Sequence, residues 1–244
     1  QQIHASSFIP WVTNGDLSAV GYGNLTLNPR KILVLYQQKL SEDIVNTSTF
    51  HMVGTPLEYL GYLPRYVNLN VKSPPSYSLK NRYAGIIVWL VRREKLSAPE
   101  KLTQFLLKQY QAKIPLLFIE NLSLITKDKA LTNKLGFQFK KTTTKLSPVS
   151  ITKQSPLLGF EGKLLPRPHS FTPVRIKNAK VLLQLKRQNE MQDAIAITSW
   201  GGYVMAPYLQ HTTLDKRISW QINPFKFFKQ SLRLPTIPAP DTTK

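Results

Sequence analysis

The chain predicts an α/β fold, a doubly wound parallel sheet followed by a mostly antiparallel, β-rich extension. Three observations point there. Lys31–Tyr36, Tyr83–Leu90 and Pro115–Glu120 are near-continuous apolar runs, as strands covered on both faces require. Helical apolar spacing separates them, and a parallel pair needs a crossover of that kind. From about residue 137 the apolar period shifts from helical to alternating, which marks strands with one face in the core.

Taken in order, residues 1–30 carry turn signals such as Thr13-Asn-Gly-Asp16 and Asn28-Pro29, and form an irregular leader. The α/β unit spans 31–136. After its first strand, Phe50–Leu60 reads as a helix whose second part begins at Pro56 and stops at Gly61. A short strand at Tyr66–Leu69 and a Ser73-Pro-Pro-Ser76 loop lead to strand 83–90. Ser97 is a candidate cap and Pro99 a first-turn proline for the next helix. Leu102, Phe105, Leu106 and Tyr110 give that helix its buried stripe. Strand 115–120 follows, then a helix over Lys127–Leu135 closed by Gly136.

Residues 137–234 form the β-rich part, with strands expected at 138–145, 174–177, 180–186, 193–199 and 218–222. Asn223-Pro224 offers a cap and first-turn proline for a last helix carrying Phe225, Phe228 and Leu232. Residues 235–244 read as a Pro-rich linker. The first residues lack both a Met and a signal-peptide pattern, so both ends are expected to be cuts.

Composition narrows the chemistry. The chain has no cysteine, which removes disulfides, thiolate metal sites and thiol nucleophiles. No apolar run approaches the roughly 18 residues of a membrane-spanning helix. Net charge is +20 and lies mostly in the second half. Residues 1–122 hold 13 basic and 7 acidic side chains (+6), residues 123–244 hold 20 and 6 (+14). Such a field draws polyanions, although a solvated lysine-rich surface is the commoner meaning. Lysine outnumbers arginine there, and arginine is the residue suited to bidentate phosphate contacts. Asn24, Asn46 and Asn121 begin Asn-x-Ser/Thr triplets, which matter only in a eukaryotic secretory setting.

Open α/β sheets place ligands outside the carboxyl ends of their strands, here just after Tyr36, Leu90 and Ile119. Gln37, Val91-Arg92-Arg93 and Glu120-Asn121 stand at those places. No P-loop, Gly-x-Gly-x-x-Gly or Gly-x-Ser-x-Gly motif occurs, so no nucleotide cofactor and no serine elbow is expected. The four histidines lie far apart, with no ligand spacing for a metal. The catalytic candidates that remain are His51, on the helix after the first strand, with Glu58 and Glu120 as carboxylates it could meet. A surface histidine and a capping glutamate are the commoner readings. Gln37, Trp89, Asn121, Trp200 and Tyr203 are ligand-contact candidates. Trp200-Gly-Gly-Tyr203 would let rings stack on a sugar or base, or would make a tight hairpin with core aromatics.

Pro29–Tyr36, Pro56–Tyr62, Tyr83–Leu90, Gly201–Tyr203 and the run from Trp220 to Phe225 and on to Pro240-Asp-Thr-Thr243 together resemble the middle region of PelA-like proteins. These are multidomain periplasmic proteins of Pel exopolysaccharide biosynthesis in biofilms. The resemblance covers most of the chain from about residue 10. It implies a flavodoxin-like or class I amidotransferase-like domain between a glycoside-hydrolase and a deacetylase domain. It also implies a periplasmic or secreted setting. The catalytic residues of those neighbours have no counterpart here, and amidotransferase chemistry would need a cysteine.

Three expectations follow: a noncatalytic scaffold or carbohydrate-contacting module working with polysaccharide or other Pel-type proteins, a polyanion-binding module for nucleic acid or anionic lipid using the Lys-rich half, and a hydrolase built at the strand ends from His51, Glu58 and Glu120. A partly deacetylated amino-sugar polymer is cationic and would be repelled by the basic half.

Overall fold

The computed structural model describes residues 29–37, 43–90, 99–120, 127–140, 147–166, 171–212 and 218–235, together with Leu96 and Ile125. Within them lies one mixed sheet of ten strands, an α/β arrangement with parallel and antiparallel pairs. The strands of its parallel half are β1 (Lys31–Tyr36), β2 (Leu63–Asn68), β3 (Tyr83–Trp89) and β4 (Leu116–Ile119). They stand in the order β2-β1-β3-β4, all parallel. The chain moves from β1 to β2 on one side and then to β3 on the other, so the winding reverses between β1 and β3. Burial explains the apolar runs: five of six residues in β1 and all four in β4 are buried.

The remaining strands are β5 (Phe137–Phe139), β6 (Ser150–Gln154), β7 (Val174–Ile176), β8 (Lys180–Arg187), β9 (Glu190–Thr198) and β10 (Gly201–Val204). Their pairs are antiparallel (β10 with β9, β9 with β8, β8 with β6, β7 with β5), apart from a single parallel pairing of β7 with β9. β10 continues the parallel half, because it lies alongside β4 and runs parallel to it. The sheet therefore runs unbroken across the boundary expected at residue 136. β11 (Gln210–Thr212) and β12 (Ile218–Trp220) form a separate ribbon.

β10 differs from expectation, since Gly201-Gly202 reads as a turn. The turn is Ser199-Trp200, and the glycines open the returning strand, as in the tight-hairpin reading of this segment. They are needed there because a Cβ on Gly201 would fall 1.8 Å from the Leu116 carbonyl oxygen, and one on Gly202 would lie 3.0 Å from Ser231. The strand expected at 138–145 begins one residue earlier, and its described part, β5, ends at Phe139, while 141–145 lie outside the described residues. β6 was not expected at all, because its residues are mostly exposed and polar.

Helices cover both faces. A π-helical turn over Phe50–Gly54 runs into α1 (Thr55–Tyr59), which ends at Gly61 with φ 82°. α5 (Pro224–Ser231) lies on the same side, where the Tyr59 and Phe225 rings are 4.8 Å apart. Asn223 caps it as expected, accepting from the Lys226 N–H at 3.0 Å. On the other face, α2 (Pro99–Gln111) buries Leu102 and Leu106. α3 (Lys129–Leu135) is capped by Asp128 and closed by Gly136 at φ 75°. α4 (Ala206–Leu209) is a single turn after β10. Ser97, the expected cap of α2, lies outside the described residues.

Candidate functional site

The carboxyl ends of β1 and β3, where the winding reverses, are the natural place for a ligand. Tyr36 and Trp89 are register partners there, and Tyr66 of β2 meets Tyr36 edge-to-face at 6.2 Å. Gln37 is buried, and its Nε2 donates to Asn70 Oδ1 at 3.1 Å. Trp89 is buried with no partner for its indole N–H among the described residues. The crevice is thus built from neutral amides and aromatic rings, and its groups are packed inward.

Glu120 follows β4 directly with φ 61°, a left-handed conformation rare outside glycine and asparagine. Its N–H donates to the Val204 carbonyl at 2.8 Å, and its Oε2 accepts the Ala206 N–H at 2.7 Å. Burial raises the Glu120 carboxyl above its ordinary range, and the Ala206 bond offsets only part of that. Tyr203 is fully buried in β10 and sits edge-on to Phe137 at 5.7 Å. Burial pushes its hydroxyl well above the usual tyrosine value, and the Glu120 charge adds to this.

The three acid–base candidates do not meet. His51 is exposed and packs edge-to-face on Phe50, which leans on Tyr66 above β2. Glu120 ends β4, three strand spacings away, or about 14 Å across the sheet. Glu58 is exposed and lies seven residues beyond His51, about 10 Å along the helix. A single site built from His51, Glu58 and Glu120 is therefore corrected to three separate positions. Nor do Trp200 and Tyr203 join Gln37 and Trp89. Trp200 packs on Phe118 and Phe137 and donates from Nε1 to the Leu135 carbonyl at 3.0 Å. Asn121 lies outside the described residues.

Two adjoining grooves lie at the opposite, amino-terminal rim of the parallel strands. One, about 370 Å³, runs past Lys80, Asn81 and Tyr83 below β3. The other, about 340 Å³, lies between the end of α2 and Trp200. Lys113, Ile114 and Arg233 line both. Sequence reasoning passed over these residues, because a lysine or arginine at a helix end reads as a partner for the helix dipole.

Among the described residues, no group of three or more His, Asp or Glu could hold a metal, and no helix is long and apolar enough to cross a membrane. No family model and no curated protein sequence matches the chain. Among solved structures, the chain is similar to a β-galactosidase from Rahnella sp. R3, at 12% identity and a TM-score of 0.41. The match covers 86% of this chain and 32% of that one.

Proposed function

We propose that this chain is a noncatalytic α/β module, wound in the flavodoxin-like or amidotransferase-like manner, acting as a scaffold or glycan-contacting part of an exopolysaccharide-processing protein in the periplasm or outside the cell. One observation carries the noncatalytic reading: the carboxylate best placed for chemistry, Glu120 at a strand end, is bound to the backbone N–H of Ala206. Its lone pair and its position serve the junction of β4 with β10. His51 and Glu58 stand too far away to complete a proton relay. The strand order β2-β1-β3-β4-β10 supports the winding. The resemblance to PelA-like proteins supplies the glycan and the setting.

The test combines turnover and binding. The purified chain is assayed against aryl glycosides and acetyl esters, and titrated calorimetrically with acetylated and partly deacetylated amino-sugar oligomers. The expected result is no turnover, with retention of neutral, acetylated oligomers that is insensitive to salt. Turnover abolished by E120Q or H51A in a folded variant would overturn the noncatalytic reading, and failure to bind any oligomer would overturn glycan contact.

A further inference from the structure

We infer that the amino-terminal rim of the parallel sheet binds an acidic oligosaccharide along the groove shared by Lys80, Lys113 and Arg233. α2 ends with Ile114 N–H bonded to the Gln109 carbonyl at 3.1 Å, and α5 with Leu234 N–H bonded to Lys229 at 2.9 Å. Both are helix endings whose left-handed residue is ordinarily glycine. Here Lys113 (φ 59°) and Arg233 (φ 53°) occupy those positions, and Asn81 (φ 61°) holds the same conformation across the groove. Glycine would take each conformation without steric cost. Residues with long cationic side chains stand at two of them, and all three line the groove.

The charge is one-sided. No Asp or Glu lines either groove, and Lys80 and Lys113 have no carboxylate partner among the described residues. The lining runs from Pro29 before β1, past β3 and β4, to Trp200 before β10, four neighbouring strands or about 14 Å. That length suits an oligomer with repeated charges.

The chemistry selects among polyanions. Trp200 is buried and held by its bond to Leu135, and the tyrosines that line the grooves, Tyr83 and Tyr110, are half-buried and pack against the core, so little ring surface is left for stacking nucleobases. The Arg233 guanidinium donates from Nη1 to the Ser199 carbonyl, so the groove's free charge lies mainly on lysines, which hold anionic groups as point charges. The groove crosses strand ends instead of following a sheet edge, so it has no backbone ladder for an acidic peptide. What remains is a floor of Pro29, Pro115 and Pro235 flanked by lysines and an amide. Such a floor suits the C–H faces of sugar rings, with carboxylates reaching the cations. This surface is independent of the strand-end crevice and stands whether or not that crevice contacts a glycan.

Glycine substitution makes the test clean, since it removes charge while relieving the left-handed strain. The whole chain is titrated calorimetrically with hexagalacturonate, and with oligothymidylate and oligoglutamate of equal charge. For K113G/R233G, hexagalacturonate should bind about tenfold more weakly while the thermal midpoint stays the same or rises. K153A/K186A, which removes equal charge from exposed positions on β6 and β8, should leave affinity unchanged. Equal loss in both double variants would show a diffuse field and overturn the site. So would unchanged binding in K113G/R233G, tighter binding of oligothymidylate or oligoglutamate, or no binding of hexagalacturonate at all.

Discussion

The Glu120 carboxylate accepts the Ala206 N–H at 2.7 Å across 86 residues of sequence, while the Glu120 N–H returns a bond to Val204. This reciprocal pair fastens the end of β4 to the end of β10. It joins an element of the first half of the chain to one of the second, at the edge where a catalytic group would otherwise stand.

Glu120 should make the fold less stable as pH rises. Burial raises its native carboxyl above the ordinary 4.5, so in the window just above that value the native state holds more protons than the unfolded state. Stability therefore falls as pH rises through the window, and the penalty persists above it. E120Q keeps an oxygen to accept the Ala206 N–H and removes the charge. Urea midpoints of the two proteins should coincide near about pH 4 and separate in favour of E120Q toward about pH 7. A deficit for E120Q that grows as pH rises would instead mean that the charged bond to Ala206 outweighs burial.

Asp193 should be far more costly to lose than its cationic partner. Its fully buried carboxylate accepts from Arg175 Nε at 3.2 Å, the Ile176 N–H at 2.9 Å and Gln184 Nε2 at 2.8 Å, tying β7 and β8 to β9. D193A leaves a buried backbone donor unmade and should cost about 3 kcal/mol. The Arg175 side chain is 47% exposed, so R175A should cost at most about 1 kcal/mol. Urea unfolding measures both. Similar losses for the two would mean that the ion pair dominates over the backbone bond.

The contrast between these residues shows what the sequence could reveal. β1, β3 and β4 are buried on both faces, so their apolar runs are unambiguous. The cap at Asn223 and the left-handed Gly136 act over three or four residues, and local pattern suffices for them; Asp128, expected inside its helix, is instead the cap. The bond from Ala206 to Glu120 leaves no local trace, because its partners are 86 residues apart. β10 was hidden for a related reason: its glycines are required by Leu116 and Ser231, neighbours that only the fold supplies. Lys113 and Arg233 look like ordinary helix-end cations until their backbone angles place them in one groove.

Gly201 should be the least tolerant glycine in the sheet. A Cβ there would meet the Leu116 carbonyl oxygen at 1.8 Å, and its φ of 143° disfavours any side chain. The obstructing atom is backbone in the neighbouring strand, so it cannot rotate away. G201A should cost more than about 4 kcal/mol, visible as loss of cooperative thermal unfolding. At Gly202 the contacts are 3.0 Å, and G202A should cost about 1 to 3 kcal/mol. Equal tolerance at both positions would show that β10 can move away from β4.

Gly54 and Tyr66 should be strongly coupled, with Y66F offsetting most of the cost of G54A. A Cβ on Gly54 would lie 2.0 Å from the Tyr66 hydroxyl oxygen, where the π-helical turn passes over β2. That hydroxyl is buried without a partner among the described residues, and burial raises it well above the usual tyrosine value. Y66F removes an unpaired buried polar group and should be neutral or slightly stabilising. G54A alone forces the ring or the turn to shift and should cost about 1 to 3 kcal/mol. In the double variant the obstructing oxygen is gone, and the alanine also restricts the unfolded chain, so most of that cost should disappear. A double-mutant cycle by urea unfolding should give a coupling of at least about 1 kcal/mol. Strict additivity would place the clash elsewhere, in the backbone of the turn and not at the hydroxyl.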